Sequence, residues 1–221
     1  MQPDRQYCTP SAIKSVVPMS FRRFSLGSIL ALLLTAVVAA GCSLTAPEPE
    51  FPELTYRHLA PLELAAGRIE ITTRYIPPMK EPNVDHRSPV TLHAALRRWA
   101  GDRLRAAGGR PIAHLVILDA SIREVPLKVT GGVAGFFTTD QSARYDGRAA
   151  VRLEIRDPGG RQIAFATARA TRSLHVAEDS SIADRERVLF ALTEDLVSDI
   201  NARFEAEARR HLGAHLINPQ R

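Results

Sequence analysis

The chain has 221 residues, of which 45% are hydrophobic and 24% are charged. This fits one globular domain, or two at most, and excludes a disordered chain or a polytopic membrane protein. Its 29 basic residues exceed its 24 acidic ones, but residues 1–41 hold four of the bases and one of the acids, so the remaining 25 and 23 nearly balance. The arginines of that remainder are scattered along the chain. Composition therefore predicts no nucleic-acid partner.

The amino-terminal segment has the layout of an export signal. Two adjacent arginines precede an uncharged run over residues 26–40, which is followed closely by Cys42. The run is 15 residues long, which is short for a membrane-spanning helix and typical of the apolar part of a signal peptide. The small residues at 39–41 resemble a bacterial lipobox, with alanine at position 39 where leucine is usual. The resemblance implies that residues 1–41 are a lipoprotein signal peptide, cut just before an acylated Cys42.

Cysteine usage favours lipidation over a conventional signal peptide or a retained membrane anchor. Cys8 lies in the leader, so Cys42 is the only cysteine after it and has no disulfide partner or thiolate companion. Met19 would itself begin a compact leader, and we expect translation to start there without changing the mature chain. In the lipoproteins that this leader resembles, Asp after the cysteine retains the protein at the inner membrane. Ser43 therefore predicts the outer membrane, with the periplasmic face of the inner membrane as the alternative.

Residues 42–66 are predicted to form a lipid-anchored tether. Four prolines interrupt this stretch, with acidic residues between them, a composition that disfavours both regular structure and a core. Residues 43–66 would span about 80 Å when fully stretched. The tether would hold the domain off the membrane.

A strand and a helix are the first predicted elements. Residues 67–76 alternate in polarity and are stopped by two prolines, which indicates a strand. A helix is predicted to begin at Ser88-Pro89 and to end at the glycine pair at 108–109. Its apolar stripe includes Trp99, with the stem of Arg103 at the edge of the stripe.

Three strands and a long helix follow. Strands are predicted over residues 112–125, over 145–155, where apolar and charged residues alternate, and over 162–176, where alanines on one side would let a helix approach. The last helix, capped by Ser180 or Ser181, is predicted over residues 182–212. Its apolar stripe contains Leu189, Leu192, Leu196, Ile200 and Phe204.

The element order β-α-β-β-β-α predicts an α/β (α+β) fold. The first helix links two strands as a crossover, the later strands form an antiparallel meander, and both helices cover one sheet face. We therefore expect a two-layer sandwich with a four-stranded mixed sheet. The single domain is expected over residues 67–213, with a tail at 214–221.

Known catalytic motifs are missing from the sequence, and no catalytic residue, metal or cofactor is predicted. The G-x-S-x-G elbow, the P-loop and H-E-x-x-H are all absent. Asp85, His86 and His93 are the nearest approach to a constellation, but their spacing matches no familiar ligand set. A structural or solvated role is favoured for them, and the protein is not expected to be an enzyme.

The segment at residues 130–140 is rich in glycine and has two readings. Val133, Phe136 and Phe137 could form an apolar tip that contacts acyl chains or a protein groove. Alternatively, the segment is a long hairpin connection whose phenylalanines fold back onto the core.

Arg97, Arg98 and Arg105 are predicted to lie on the first helix, opposite its apolar stripe. A solvated basic face is the default interpretation. Contact with the phosphates of anionic lipid is the more specific one.

Signal peptide, tether and element order together resemble the auxiliary lipoproteins of ABC-type lipid-transport systems and the lipoprotein that assists lipopolysaccharide assembly. The resemblance implies a lipid-anchored envelope accessory protein that binds lipid or partner proteins and catalyses no reaction. A lipoprotein activator of, or scaffold for, peptidoglycan synthesis is the alternative.

Overall fold

The computed structural model describes residues 50–127 and 141–217, without the side chains of residues 141 and 142. Within these ranges there are two helices and six strands, with short 3-10 turns at Asp85–Arg87 and Gly213–His215. The elements are β1 (Leu62–Leu64), β2 (Arg68–Thr73), α1 (Leu92–Arg103), β3 (Leu104–Ala106), β4 (Ile112–Pro126), β5 (Gln141–Arg156), β6 (Gln162–Ala177) and α2 (Ile182–Leu212). No helix in this part of the chain has an apolar stretch long enough to cross a bilayer.

The predicted two-layer α+β architecture is confirmed. The main sheet has the order β2-β4-β5-β6, with β2 parallel to β4 across the α1 connection and the other pairs antiparallel. The helices lie side by side, since the rings of Trp99 and Phe204 meet edge to face at 5.3 Å. Both helices therefore cover the same face of a mixed four-stranded sheet.

The core lies between the helices and one face of the sheet. Apolar side chains that alternate along β4 and β5 are fully buried, namely Leu115, Ile117, Val151, Leu153 and Ile155. Ala166, Ala168 and Ala170 of β6 are buried as well, and their small side chains let α2 approach the backbone of the strand, as the sequence predicted. At Gly147 a Cβ atom would lie 2.5 Å from the Cδ1 atom of Leu196, so β5 and α2 are in close contact there.

Helix α2 has the predicted bounds, whereas α1 differs at both ends. A capping box between Ser181 and Asp184 begins α2, which decides between the two predicted caps. Helix α1 is capped by Thr91, whose hydroxyl accepts from the Ala94 N–H group at 3.2 Å. The Ser88 hydroxyl instead donates to the Val90 carbonyl at 2.8 Å, so the predicted cap is wrong. The helix ends at Arg103, before the glycine pair.

After α1 the chain enters β3, which pairs in parallel with β1. This second, two-stranded sheet was not predicted. Gly108 and Gly109 follow β3 with positive φ angles of 97° and 122°. They turn the chain toward β4 rather than ending the helix.

The predicted tether is wrong in its second part, because residues 51–66, here called the strap, are folded onto the helices. Leu54, Tyr56, Leu64 and Ala66 are buried. Spaced apolar side chains between the prolines fill the surface of the helix pair, which composition alone did not indicate. The packed domain accordingly begins before the predicted boundary at residue 67.

The predicted boundary at residue 213 is also wrong. Leu216 is buried and forms an isolated antiparallel bridge with Leu64. The Ile217 N–H group donates to the Glu63 carbonyl at 3.0 Å. Residues 214–217, predicted as part of a tail, therefore extend the small sheet.

Candidate functional site

The face of the sheet opposite the helices is the candidate functional site. Because Gly147 faces α2 and strand side chains alternate, the even-numbered residues of β5 point away from the helices. Within residues 50–127 and 141–217, no helix packs against this side. We call it the open face and define it by Arg144, Asp146, Arg148, Arg152, Glu154 and Arg156 of β5 with Phe165 of β6.

Glu154 forms the centre of an ion-pair network on the open face. Its carboxylate accepts from Arg152 Nε at 3.0 Å and from Arg156 Nη2 at 2.6 Å, and His114 Nδ1 lies 4.0 Å away. Burial alone would raise the pKa of Glu154, but the hydrogen bonds from the two arginines outweigh it and hold the pKa below its usual value. Glu154 is therefore ionised at neutral pH and fixes both guanidinium groups.

Arg152 also covers an aromatic ring at the edge of the sheet. Its Cζ atom lies 3.9 Å from the ring centroid of Phe165, a cation–π arrangement, and its Nη2 atom donates to Gln162 at 2.9 Å. The Phe165 residue is still 45% exposed, and the neighbouring Ile163 is 44% exposed. Cationic and apolar surface therefore adjoin at this edge.

The other arginines of the open face differ in how they are partnered. Arg144 forms a two-point contact with Asp146 at 2.7 and 2.8 Å, which lowers the pKa of Asp146. Ser173 adds a third hydrogen bond to the same carboxylate at 2.6 Å. Arg148 is exposed and contributes electrostatically to the lowered pKa of Asp146. It has no hydrogen bond or ion pair with any residue that the structure describes. Its guanidinium group is thus available to an external acceptor.

The predicted basic face is not assembled as expected. Arg97 and Arg98 are exposed on α1, and Arg98 forms an ion pair with Glu53 of the strap. Arg105 lies on β3, because α1 ends at Arg103. The three arginines therefore do not share one helix face, and the interpretation of them as one basic surface on that helix is wrong.

Asp85, His86 and His93 have separate environments. Asp85 is buried and accepts from the Tyr75 hydroxyl at 3.3 Å. His86 Nδ1 and His93 Nε2 are buried without a hydrogen-bond partner in the described part of the chain, and burial, then Arg97, lowers the pKa of His93. No group of three or more His, Cys, Asp or Glu side chains among residues 50–127 and 141–217 is arranged to hold a metal ion.

Four predicted site residues lie outside the described ranges. These are Cys42, the expected lipidation site, and Val133, Phe136 and Phe137 of the expected interaction loop. Both expectations stay predictions.

Sequence reasoning missed the open face as a site, although its signal was present. The alternation over residues 145–155 predicted a half-buried strand, and the helices were expected on one face only. Taken together, these two predictions imply an uncovered row of arginines. The contact between Arg152 and Phe165 could not be predicted from the sequence, because it depends on the register between β5 and β6. That register places Glu154 beside Phe165.

Comparison with known proteins gives no family for this chain. No family model and no curated protein matches it. Among solved structures, rare lipoprotein B from Shewanella oneidensis is 12% identical with a TM-score of 0.35, covering 65% of this chain and 96% of that one. A minor lipoprotein from Acinetobacter baumannii is 19% identical with a TM-score of 0.33, covering 67% and 96%. A PelC dodecamer from Paraburkholderia phytofirmans is 16% identical with a TM-score of 0.23, covering 63% and 91%. These TM-scores are low, and the likenesses carry no argument about function.

Proposed function

We propose that this protein is a bacterial lipoprotein of the cell envelope, anchored through Cys42, whose domain binds an envelope protein through the open face. It acts as a non-enzymatic accessory in outer-membrane lipid transport or assembly, and Ser43 favours the outer membrane as its location. The open arginine face, whose Arg148 has no hydrogen bond or ion pair among the described residues, is the observation that carries the binding role.

The strap supports a protein partner rather than the lipid around the anchor. Phe51 contacts Phe190 of α2, with ring centroids 5.2 Å apart, so the strap is already in contact with the helices at this residue. Residues 43–50 leave at most about 30 Å between Cys42 and Phe51.

The position of the strap on the helix side also bears on which side of the domain a partner would reach. Asp102 of α1 accepts from the Tyr56 N–H group at 2.9 Å and from the Thr55 hydroxyl at 3.2 Å. The anchored end is therefore fastened to the helix side, and the open face lies on the other side of the sheet. We expect this attachment to favour contact of the open face with a partner away from the anchoring membrane.

The chemistry of the open face fits a protein surface that carries carboxylates. Its β5 residues include four arginines and two acids, which leaves a net positive charge that steers an acidic partner toward the face. Arginine and aromatic residues are enriched at protein interfaces, and Phe165 beside Arg152 supplies both. The planar guanidinium fork of Arg148 can bind a carboxylate at two points.

The anchor is tested by replacing Cys42 with serine. In cells fed an alkyne-labelled fatty acid, the wild-type protein should carry label and appear in the outer-membrane fraction. Cys42→Ser should lose the label and stay unprocessed, because it lacks the thiol that is acylated before cleavage. It should also lose the firm membrane attachment that several acyl groups supply and a single chain does not. A wild-type protein purified from membranes without any acyl group would refute the anchor.

The binding role is tested by site-specific photocrosslinking in cells. We would place p-benzoylphenylalanine at Phe165 and, as a matched control, at Ile182, an apolar residue of α2 that is 79% exposed. The proposal expects one discrete protein adduct from position 165 and none of that size from position 182. Adducts to lipid alone, or the same adducts from both positions, would contradict it. A peptidoglycan synthase in the adduct would favour the alternative pathway.

A further inference from the structure

The outer edge of strand β6 has no strand beside it. In the sheet order β2-β4-β5-β6, this strand is paired with β5 alone. No other strand within residues 50–127 and 141–217 pairs with β6. The backbone N–H and C=O groups at such an edge can pair with another chain. The free edge of β6 can therefore accept one more strand.

A groove follows this free edge. It is lined by residues 162–167 of β6 and by Glu207 and His211 of α2, and its volume is about 400 Å³. Because consecutive residues of a strand point to opposite faces, a groove that touches all of residues 162–167 runs along the edge rather than over one face. Helix α2 forms its other wall.

Two of the usual protections of an edge strand are missing from this stretch. Natural edges are often blunted by proline or by charged side chains. Residues 163–168 contain neither, and Ile163 and Phe165 expose apolar surface beside the groove. An apolar edge of this kind is a site where another strand can pair with the sheet.

Two features bound the part of the edge that can accept a strand. Ile163 is an extra residue on β6, since the register with β5 shifts at this point, and such a bulge interrupts regular pairing. At the other end, Arg203 of α2 donates to the Arg169 carbonyl at 3.1 Å. Residues 164–168 lie between these two points and span about 17 Å.

Charge indicates which kind of strand fits this edge. Strand β6 contains Arg169 and Arg172 and no acidic residue. Arg172 forms an ion pair with Asp199 of α2 at 2.7 Å. The side chain of Arg169 is exposed and has no hydrogen bond or ion pair with any residue that the structure describes. Pairing with β6 of a second copy would add like charge, whereas a strand with a carboxylate would complement Arg169.

We propose that residues 164–168 of β6 bind an extended acidic segment of the envelope partner, which adds to the four-stranded sheet at this edge. Main-chain hydrogen bonds would supply affinity, and alternate side chains would supply specificity. An apolar side chain of the segment would pack beside Phe165. An aspartate or glutamate would reach Arg169, which is on the same side of β6. The inference rests on the function proposed above, because it specifies how that partner would bind.

Photocrosslinking from both layers of the domain tests this mode of binding. We would place p-benzoylphenylalanine at His211 of α2, which lines the groove, and compare it with position 165 on the open face. A strand added at the edge lies next to both positions and should give an adduct of the same size from each. A partner that covers only the open face should be captured from position 165 alone. The neighbouring exposed position, Arg210, is the control and should give no such adduct.

A proline variant tests whether the backbone of β6 forms the contact. The Arg169 carbonyl accepts from Arg203 of α2, which indicates that it points away from β5. The backbone groups of alternate residues point to the same edge, so Thr167 and Thr171 also present their N–H groups there. Thr167→Pro should remove an edge donor and abolish both adducts. Thr171→Pro removes an equivalent donor beyond the groove and should leave both adducts unchanged.

A second variant remains informative if Thr167→Pro does not fold. His211→Trp fills the groove from α2 without altering the strand, and it should abolish the adduct from position 165. Arg210→Trp adds the same side chain at the neighbouring exposed position and should leave that adduct unchanged.

The outcomes separate this inference from the proposed function. Strand addition would be overturned, with the open-face partner left in place, by an adduct from position 165 that is absent from position 211. An adduct that persists in a folded Thr167→Pro variant or in His211→Trp would have the same meaning. An adduct that joins two copies of this chain would also overturn strand addition by a partner. No adduct from either position would refute the proposed function and this inference with it.

Discussion

The two faces of the sheet differ in the side chains that they present, although strand β5 contributes residues to both. On the helix side, β5 presents buried residues such as Leu153 and Gly147, and on the open side it presents Arg148 and Glu154. Side chains of β5 are smallest where α2 comes closest and longest on the face that no helix of the described residues covers. Burial and shape stabilise the first face, whereas charge on the second face contributes little to folding and is free to serve recognition.

The largest effect should come from opening a cavity on the helix side. Leu196 is fully buried and lies against Gly147. Leu196→Ala should lower the free energy of unfolding by about 2–5 kcal/mol, measured by urea denaturation of the full chain. An unfolding curve that matches the wild type would show that the stripe of α2 is not part of the core.

A smaller loss should follow from adding one methyl group to the same contact. Gly147→Ala places a Cβ atom 2.5 Å from the Cδ1 atom of Leu196, and this overpacking should cost about 1–3 kcal/mol. Gly101→Ala is the matched control, because nothing lies within 4 Å of its Cβ position on α1. That control should gain about 1 kcal/mol from helix propensity. Equal effects in both variants would contradict the close approach of α2 to β5.

A pH-dependent effect is expected on the open face. Glu154→Gln should cost about 1 kcal/mol at pH 7, since it weakens hydrogen bonds from two arginines. The pKa of Glu154 is lowered by folding, so its stabilising contribution is complete above the unfolded-state pKa and is lost as the pH falls through the folded-state pKa.

The gap in stability between Glu154→Gln and wild type should therefore start to narrow as the pH falls below the ordinary glutamate pKa of about 4.3. Thermal melts from pH 3 to pH 7 measure this. Glu178→Gln, at an exposed position before α2, serves as the control and should differ little from wild type at any pH. A constant gap between Glu154→Gln and wild type across this range would show that the carboxylate charge is not what stabilises the network.

The smallest change in stability should come from Arg148. This exposed arginine forms no hydrogen bond or ion pair in the described part of the chain and interacts only electrostatically with Asp146. Arg148→Gln should therefore alter the free energy of unfolding by no more than about 0.5 kcal/mol. The yield of the adduct from position 165 should nevertheless fall. Arg210→Gln removes the same charge from the end of α2 and should leave the yield unchanged. Equal adduct yields from Arg148→Gln and Arg210→Gln would show that Arg148 is not part of the interface.

Local sequence periodicity was sufficient for most of the fold. The alternation in β5, the alanines of β6 and the stripe of α2 each report which side of one element is buried. They predicted the order of elements, the mixed sheet and the bounds Ile182–Leu212 of α2. The predicted leader with Cys42 also rests on adjacent residues, but it lies outside the described residues and stays a prediction.

Tertiary structure decided the features that depend on contacts between distant residues. The strap is held by Asp102, about 46 positions away from Tyr56, and no local pattern in a proline-rich stretch can indicate such a partner. The same holds for the pairing of β1 with β3, which ends α1 early and moves Arg105 off the helix. It also holds for Arg103, whose charged head is buried because Asn201 and Glu205 lie beside it. Periodicity records the average environment of one element, whereas the place of a buried charge or an irregular segment is fixed only when several elements meet.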